Sequence, residues 1–159
     1  MLYIHNSWKD VDWLAAIPQI DALIDEGIVR DFGVSNFTVS DMRQTQQISR
    51  HPIVANQMEY NVLYKDEVDD AFKEYCSKNN IQIVAYQPVK RREVLTDKTI
   101  KEIADAHNAS AAQIALAWLI AQDALPIPKS TNKHHIDENV AAVGIRLSPE
   151  EIAKLDSLT

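Results

Sequence analysis

This chain of 159 residues has a single cysteine, Cys76, so no disulfide can form within it, and a cytoplasmic setting is the simplest expectation. Cys76 falls beside Phe72 and Tyr75 on a helical pattern, which predicts core packing rather than nucleophilic chemistry. Positive charge is also short: 16 Lys and Arg stand against 23 Asp and Glu, for a net charge of -7 and a pI near 5.1. A nucleic-acid partner needs a basic face to neutralise phosphates, and only Lys90, Arg91 and Arg92 form a basic run, so that class is excluded. The longest apolar runs are broken within a few residues by Asp, Gln or Pro, which argues against a membrane span, and no signal peptide is visible. Metal-ligand clustering is missing as well. His134 and His135 are adjacent and cannot both face one ion from a helix, so no metal site is expected.

What the chain has is an ordinary globular composition, 46% hydrophobic and 25% charged, with no low-complexity linker to divide it. One domain over residues 1–159 is expected. Apolar residues at helical spacing from Trp13 through Ile17, Ile20, Leu23 and Ile24 predict a helix ending at Gly27, with Pro18 opening or kinking it. A strand follows at Val29 to Val34, then a helix from about Thr38 to Ile48, a strand at Ile53 to Met58, a helix capped by Asp66, and a strand at Ile81 to Tyr86. After a polar loop, Thr99 to Ala106 reads as a short helix, and Ser110 with Gln113 forms a capping box for Ala111 to Ala121. Leu125 to Pro128 is the last strand candidate. A helix near His134 to Ala142 comes next, and the S-P-E-E at Ser148 to Glu151 starts another.

Short, nearly all-apolar strands alternating with helices specify parallel βαβ units, because strands covered on both faces lose their polar alternation. About five such strands are expected, counting Leu2 to Ile4. That first strand follows Met1 with no turn or helix to cover it, so it reads as the middle of a larger barrel, and the length falls short of the roughly 250 residues of a closed (β/α)8 barrel. The fold class is therefore α/β, an incomplete (β/α)8 barrel. Its first and last strands would each leave an unpaired edge, so a homo-oligomer or a complementing chain is expected to cover them.

In parallel α/β folds the working residues gather at the C-terminal ends of strands. Here those positions hold His5 and Asn6, Ser35 and Asn36, Gln57 and Glu59, Tyr86 and Gln87, then Lys129, Ser130 and Asn132. Neutral amides and hydroxyls can hold a carboxamide, an aromatic ring can stack on a flat ring, and a lysine before a helix start can hold phosphate. Together these groups describe a nicotinamide nucleotide. Asn36 could instead merely cap the following helix, Lys129 could be a solvated charge, and Trp8, Trp13 and Trp118 read as packing residues.

The stretches LYIHN, GVSNF, NQMEYN, AYQPV and IPKSTNKHHIDEN follow one another in an order and spacing that resembles the aldo-keto reductase family over nearly the whole chain. The likeness is to that family's C-terminal portion, from about the fourth barrel strand onward. It implies NADPH-dependent reduction of carbonyls on a (β/α)8 barrel. By the same resemblance, His5 corresponds to the histidine of the family's Asp, Tyr, Lys and His set, and an aromatic residue shortly after it, here Trp8, often lines the substrate pocket. Ser35, Asn36 and Gln57 match the residues that hold the nicotinamide carboxamide, and Tyr86 the ring that stacks on it. Lys129, Ser130, Glu138 and Asn139 match positions around the adenosine ribose, its phosphate and the adenine. His135 stands where many members have an arginine, which leaves NADP(H) against NAD(H) open. The loop after Tyr86 reads VKRREV where a glycine is common, and Lys90 to Arg92 could supply charge there instead.

The family's Asp, Tyr and Lys precede the strand at Met1 and have no replacement in the sequence, so the proton donor for the carbonyl oxygen is missing. Two expectations follow. One is a truncated aldo-keto reductase relative that binds NADP(H) and reduces aldehydes or ketones when the missing catalytic half is supplied. The other is a non-catalytic nucleotide-binding or assembly subunit.

Overall fold

The structure, a computed structural model, describes residues 1–7, 12–89 and 91–158, the side chains of Arg91 and Arg92 excepted. Trp8, Lys90 and the side chains of Arg91 and Arg92, and so the charge expected of the basic run, lie outside what the structure describes. Strands β1 (Leu2–Ile4), β2 (Phe32–Ser35), β3 (Ile53–Glu59), β4 (Gln82–Tyr86) and β5 (Leu125–Pro126) form one sheet in sequential order, with β1 parallel to β2 and β2 parallel to β3. The intervening helices are α1 (Ile17–Asp25), α2 (Val39–Ile48), α3 (Asp70–Lys78), and then α4 (Arg91–Thr96), α5 (Lys98–Ala106) and α6 (Ala111–Ala121) together between β4 and β5. Helices α7 (Lys133–Ala141) and α8 (Pro149–Asp156) complete the chain. This is the α/β architecture of an incomplete (β/α)8 barrel. Among the described residues no helix is long and apolar enough to cross a membrane.

Two compact units divide these elements: residues 1–58 with 67–84, and residues 59–66 with 85–159. The first is built on Ile17, Phe32, Val34, Phe37 and Met42, all fully buried. Each such side chain contributes roughly 1.5–3 kcal/mol of transfer free energy. Helix α1 ends as Gly27 suggests: at φ 72 it directs its own N–H to Ile24 O and the N–H of Ile28 to Leu23 O, the paired bonds of a Schellman motif. That closure also explains why β2 does not begin at Val29. The amides of Ile28 and Val29 both donate to Leu23 O, so the strand starts only at Phe32. Gly33 in β2 is required by close approach: a Cβ there would lie 2.7 Å from Tyr3 Cε1 and 3.0 Å from Ala55 O. Helix α3 is capped by Asp69, whose carboxylate accepts from Phe72 N at 2.7 Å, rather than by Asp66. Cys76 is 1% exposed in α3, and burial pushes its thiol up to about 12, so it packs and does not ionise.

In the second unit, α6 is buried from Ile114 to Leu119. Trp118 anchors it, with its ring 5.2 Å from that of Tyr60 in an edge-to-face contact and its Nε1–H donating to Asp156 Oδ1 of α8 at 2.8 Å. The capping boxes at Ser110–Gln113 and Ser148–Glu151 both form. Helix α7 differs: no residue in it is buried, and Ile136 and Val140 face solvent. The strand at Leu125 is two residues long, extended by the bond from Ile127 N to Ala85 O. Helix α4 lies in a stretch that the sequence presents as polar loop and is not anticipated by it.

Candidate functional site

In the first unit, the C-terminal ends of β2 and β3 build a small polar rim. The register is Phe32 opposite Ile53, then Val34 opposite Asn56, so β3 spends one more residue than β2 over that span and carries a bulge. The extra residue places Asn56 on the face that Ile53, Phe32 and Val34 share, and sets Gln57 opposite Ser35. Without it, Asn56 and Ile53 would lie on opposite faces. Gln57 thus lies inside β3, two residues before its end, and not at the strand terminus that the sequence suggests.

Three contacts tie the rim together. Ser35 Oγ donates to Gln57 O at 2.8 Å, Asn36 N donates to the same carbonyl at 3.0 Å, and Asn36 Nδ2 donates to Ser35 Oγ at 3.2 Å. Asn36 has φ 57, in the left-handed region that asparagine tolerates better than most residues. It is not the cap of α2. That role belongs to Thr38, which forms a capping box with Asp41. One strand further out, Ile4 of β1 pairs with Val34, so His5 follows β1 as Ser35 follows Val34. His5 is exposed, and Ser7 Oγ beyond it donates to Asp41 Oδ2 at 3.0 Å. Tyr3, two residues before His5, is held above the ordinary tyrosine pKa by burial.

The rim fits a carboxamide chemically. A primary amide presents one acceptor oxygen and two N–H donors, and the side-chain amides of Asn36 and Gln57 each offer both kinds of group. Ser35, by contrast, spends its hydroxyl hydrogen on Gln57 O and keeps only acceptor capacity.

The second unit holds the other sequence-derived candidates. Tyr86 ends β4, and its carbonyl accepts from Tyr60 N at 3.4 Å. Gln87, next in the chain, has φ 52 and its carbonyl accepts from Asn61 Nδ2 at 3.3 Å. Lys129 and Ser130 lie between β5 and α7, Lys129 exposed. Ser130 accepts from Asn132 N at 3.1 Å, and Asn132 Oδ1 accepts from His134 N at 2.9 Å as the cap of α7. On α7, His135 Nδ1 lies 2.9 Å from Glu138 Oε2, while Glu138 O accepts from Gln113 Nε2 at 3.1 Å. Asn139 is half-buried on the same helix. So Lys129, Ser130, His135, Glu138 and Asn139 fall within one short segment, and Ser35, Asn36 and Gln57 within one strand pair. Sequence reasoning passed over Asn56 and Asn61. Each is an asparagine in an otherwise apolar strand or turn that donates to the backbone carbonyl of, or just after, a left-handed residue.

Residues 1–159 match the Aldo/keto reductase family. Among curated relatives, the glyoxal reductase of Bacillus subtilis is 32% identical over 96% of this chain and 52% of its own length. A methylglyoxal reductase of Escherichia coli is 33% identical over 88% of this chain and 51% of its own. Among solved structures, a thermostable aldo-keto reductase in complex with the inhibitor epalrestat superposes with a TM-score of 0.91 at 37% identity, covering 99% of this chain and 59% of that one. The aldo/keto reductase of Klebsiella pneumoniae in complex with NADP and acetate gives 0.85 at 28% identity, over 98% of this chain and 57% of that one. The chain spans about half the length of the curated relatives it matches. The family match over every residue and these superpositions agree: this chain belongs to the Aldo/keto reductase family.

Proposed function

We propose that this chain binds NADP(H), with NAD(H) as the alternative dinucleotide, and supplies the cofactor-holding part of a carbonyl reductase whose proton-delivering residues lie outside residues 1–159. The observation that carries the reading is the rim of β2 and β3, where Ser35, Asn36 and Gln57 are bonded to one another at 2.8 to 3.2 Å around a left-handed turn. Such a turn is costly and is kept where surrounding bonds over-determine it. When bound, a reduced nicotinamide supplies hydride to a carbonyl carbon. The chain's own residues have simpler tasks. Asn36 and Gln57 hold the carboxamide, Tyr86 stacks on the ring, and Lys129, Ser130, His135, Glu138 and Asn139 receive the adenosine and its phosphate. His5 donates a hydrogen bond to the substrate carbonyl oxygen. Support for the cofactor comes from the Klebsiella pneumoniae structure, a complex with NADP, and support for an aldehyde or ketone substrate from the glyoxal and methylglyoxal reductases.

The reading that the missing half is the one carrying the family's Asp, Tyr and Lys rests on the order of the motifs, GVSNF before NQMEYN before IPKS; coverage gives only the extent of the match, about half. Met1 and Leu2 at β1, and Leu125 at β5, remain exposed, and a complementing chain or a second copy would bury them. His5, exposed just after the edge strand β1, favours a second reading as well, a subunit that binds nucleotide without turnover. Titration of the purified protein with NADPH, followed by tryptophan fluorescence and paired with the mass in solution, tests both. Saturable quenching is expected. Oxidation of NADPH by an aldehyde panel only on adding a complementing half-barrel supports the enzyme reading, binding with no turnover in any mixture supports the second, and no saturable quenching overturns both.

A further inference from the structure

We propose that Asn56 is a positioning residue: its buried side-chain amide fixes the left-handed turn at Asn36 and so presents the Asn36 and Gln57 amides to the nicotinamide carboxamide. The ligand half of this statement rests on the cofactor reading above. Asn56 is fully buried. Its Nδ2 donates to Phe37 O at 2.8 Å and lies 3.4 Å from Met42 Sδ, while its Oδ1 has no hydrogen-bond partner. The orientation of the amide is determined by these neighbours, since turning it over would press its oxygen against the Phe37 carbonyl, acceptor on acceptor.

A residue that merely filled space here would be leucine, which has nearly the same size and no orphan oxygen. Keeping an amide with one unsatisfied atom in a fully buried site is unfavourable unless the other atom does something a leucine cannot. What it does is specific. Asn36 is gripped on one side by its own N–H bonded to Gln57 O, and on the other by the Phe37 carbonyl bonded to Asn56. Because Asn56 and Gln57 are consecutive, one short piece of β3 holds both ends of the turn. The bulge between Ile53 and Asn56 is what makes this geometry available: it puts the Asn56 side chain against α2 and leaves Gln57 beside Ser35.

The test compares wild type with Asn56→Leu and Asn56→Ser in the full chain, the serine variant being too short to reach Phe37 O but free of packing clash. Two readouts are taken. Amide hydrogen exchange at Asn36 is expected to speed up by about tenfold in both variants, with the Val34 amide unchanged. Affinity for NADP+ is expected to fall about tenfold, while affinity for the adenosine bisphosphate that lacks the nicotinamide half stays within about twofold. A merely structural residue would lower both affinities together, or neither, and either pattern overturns the positioning role. Unchanged exchange at Asn36 in both variants overturns it too, with the cofactor reading intact. Wild-type protein that binds neither nucleotide overturns the cofactor reading and the ligand half of this proposal, while the exchange data still decide who holds the turn.

Discussion

The two groups of candidate residues are built on opposite principles. Around β2 and β3, Ser35 is 3% exposed, Asn56 is fully buried, and the bonds that join the Ser35–Phe37 turn to β3 link residues 19 to 22 positions apart in sequence. Between Lys129 and Asn139, the side chains are exposed or half-buried, and the side-chain hydrogen bonds from Ser130 to His135 join residues two to four positions apart, with one longer tie at Glu138, whose carbonyl accepts from Gln113 Nε2. A rim of the first kind is fixed before any ligand arrives, because moving one member breaks contacts with a neighbouring strand. A segment of the second kind is held mainly by its own local contacts, and what it offers a ligand is mainly charge and hydrogen-bonding groups in water. On the proposed reading, the carboxamide end of a dinucleotide would meet preorganised geometry, and the phosphate end an adaptable surface.

That contrast breaks most visibly at Asn36. Replacing it by valine forces a β-branched residue into the left-handed region at φ 57 and is expected to cost about 3 kcal/mol. Asn36→Gly, which is free in that region, is expected to lose the side-chain bond to Ser35 yet stay within about 1 kcal/mol of wild type. Urea unfolding midpoints of the two variants measure the difference. Equal midpoints would mean that the turn is not strained and that the rim is no more preorganised than the segment around Lys129.

How much of this was readable in the sequence follows the same division. Local signals were reliable. The S-P-E-E at Ser148, the Ser110–Gln113 box and Gly27 each state their hydrogen bonds within a few residues, and each forms. Failures came where a distant contact or a competing local one decided. Three acidic residues, Asp66, Glu67 and Asp69, precede α3, and only backbone geometry shows that Asp69 is the cap. Val29 has the look of a strand residue, but its amide is taken by Leu23 O. Helix α4 begins in the basic run at Arg91, where charge reads as loop. The bulge in β3 left no mark in the sequence except an asparagine inside the apolar run IVANQM, and that asparagine is the signal that could have pointed to Asn56. For the site, the residue types at the strand ends were legible, while the cross-strand bonds that make Ser35, Asn36 and Gln57 one unit were not.

A smaller effect is expected at a residue that belongs to neither group, and it bounds how much of the second unit's stability is local. The Glu151 carboxylate accepts from Ser148 N at 2.8 Å and lies 2.9 Å from His107 Nε2; the Ser148 amide, more than His107, holds its pKa below the usual glutamate value. A depressed folded value means that the carboxylate stabilises the fold fully above the ordinary glutamate pKa, and that this contribution is lost as pH falls through the lower folded value. Across that window wild type is expected to lose up to about 1 kcal/mol relative to Glu151→Gln, a size typical of a helix cap. The measurement is a series of urea midpoints from neutral to acid pH. A constant gap between the two proteins would show that the capping box, and not the charge, is what matters at the start of α8.

The smallest change in stability is expected at Lys129, and there the contrast is sharpest because stability and binding should part. Lys129 is exposed, so Lys129→Ala should move the unfolding midpoint by no more than about 0.5 kcal/mol. If it meets a phosphate, the same substitution removes a charge-assisted contact and should weaken NADPH binding by about tenfold at low salt, an effect that shrinks as added salt screens the charge. Asn36→Gly should show a loss of affinity that salt leaves nearly unchanged, since a hydrogen bond between neutral amides is nearly indifferent to ionic strength. Titrating both variants at low and high salt therefore separates a surface that attracts from a rim that fits. Two variants with the same salt dependence would show that the distinction between the regions does not reach the ligand.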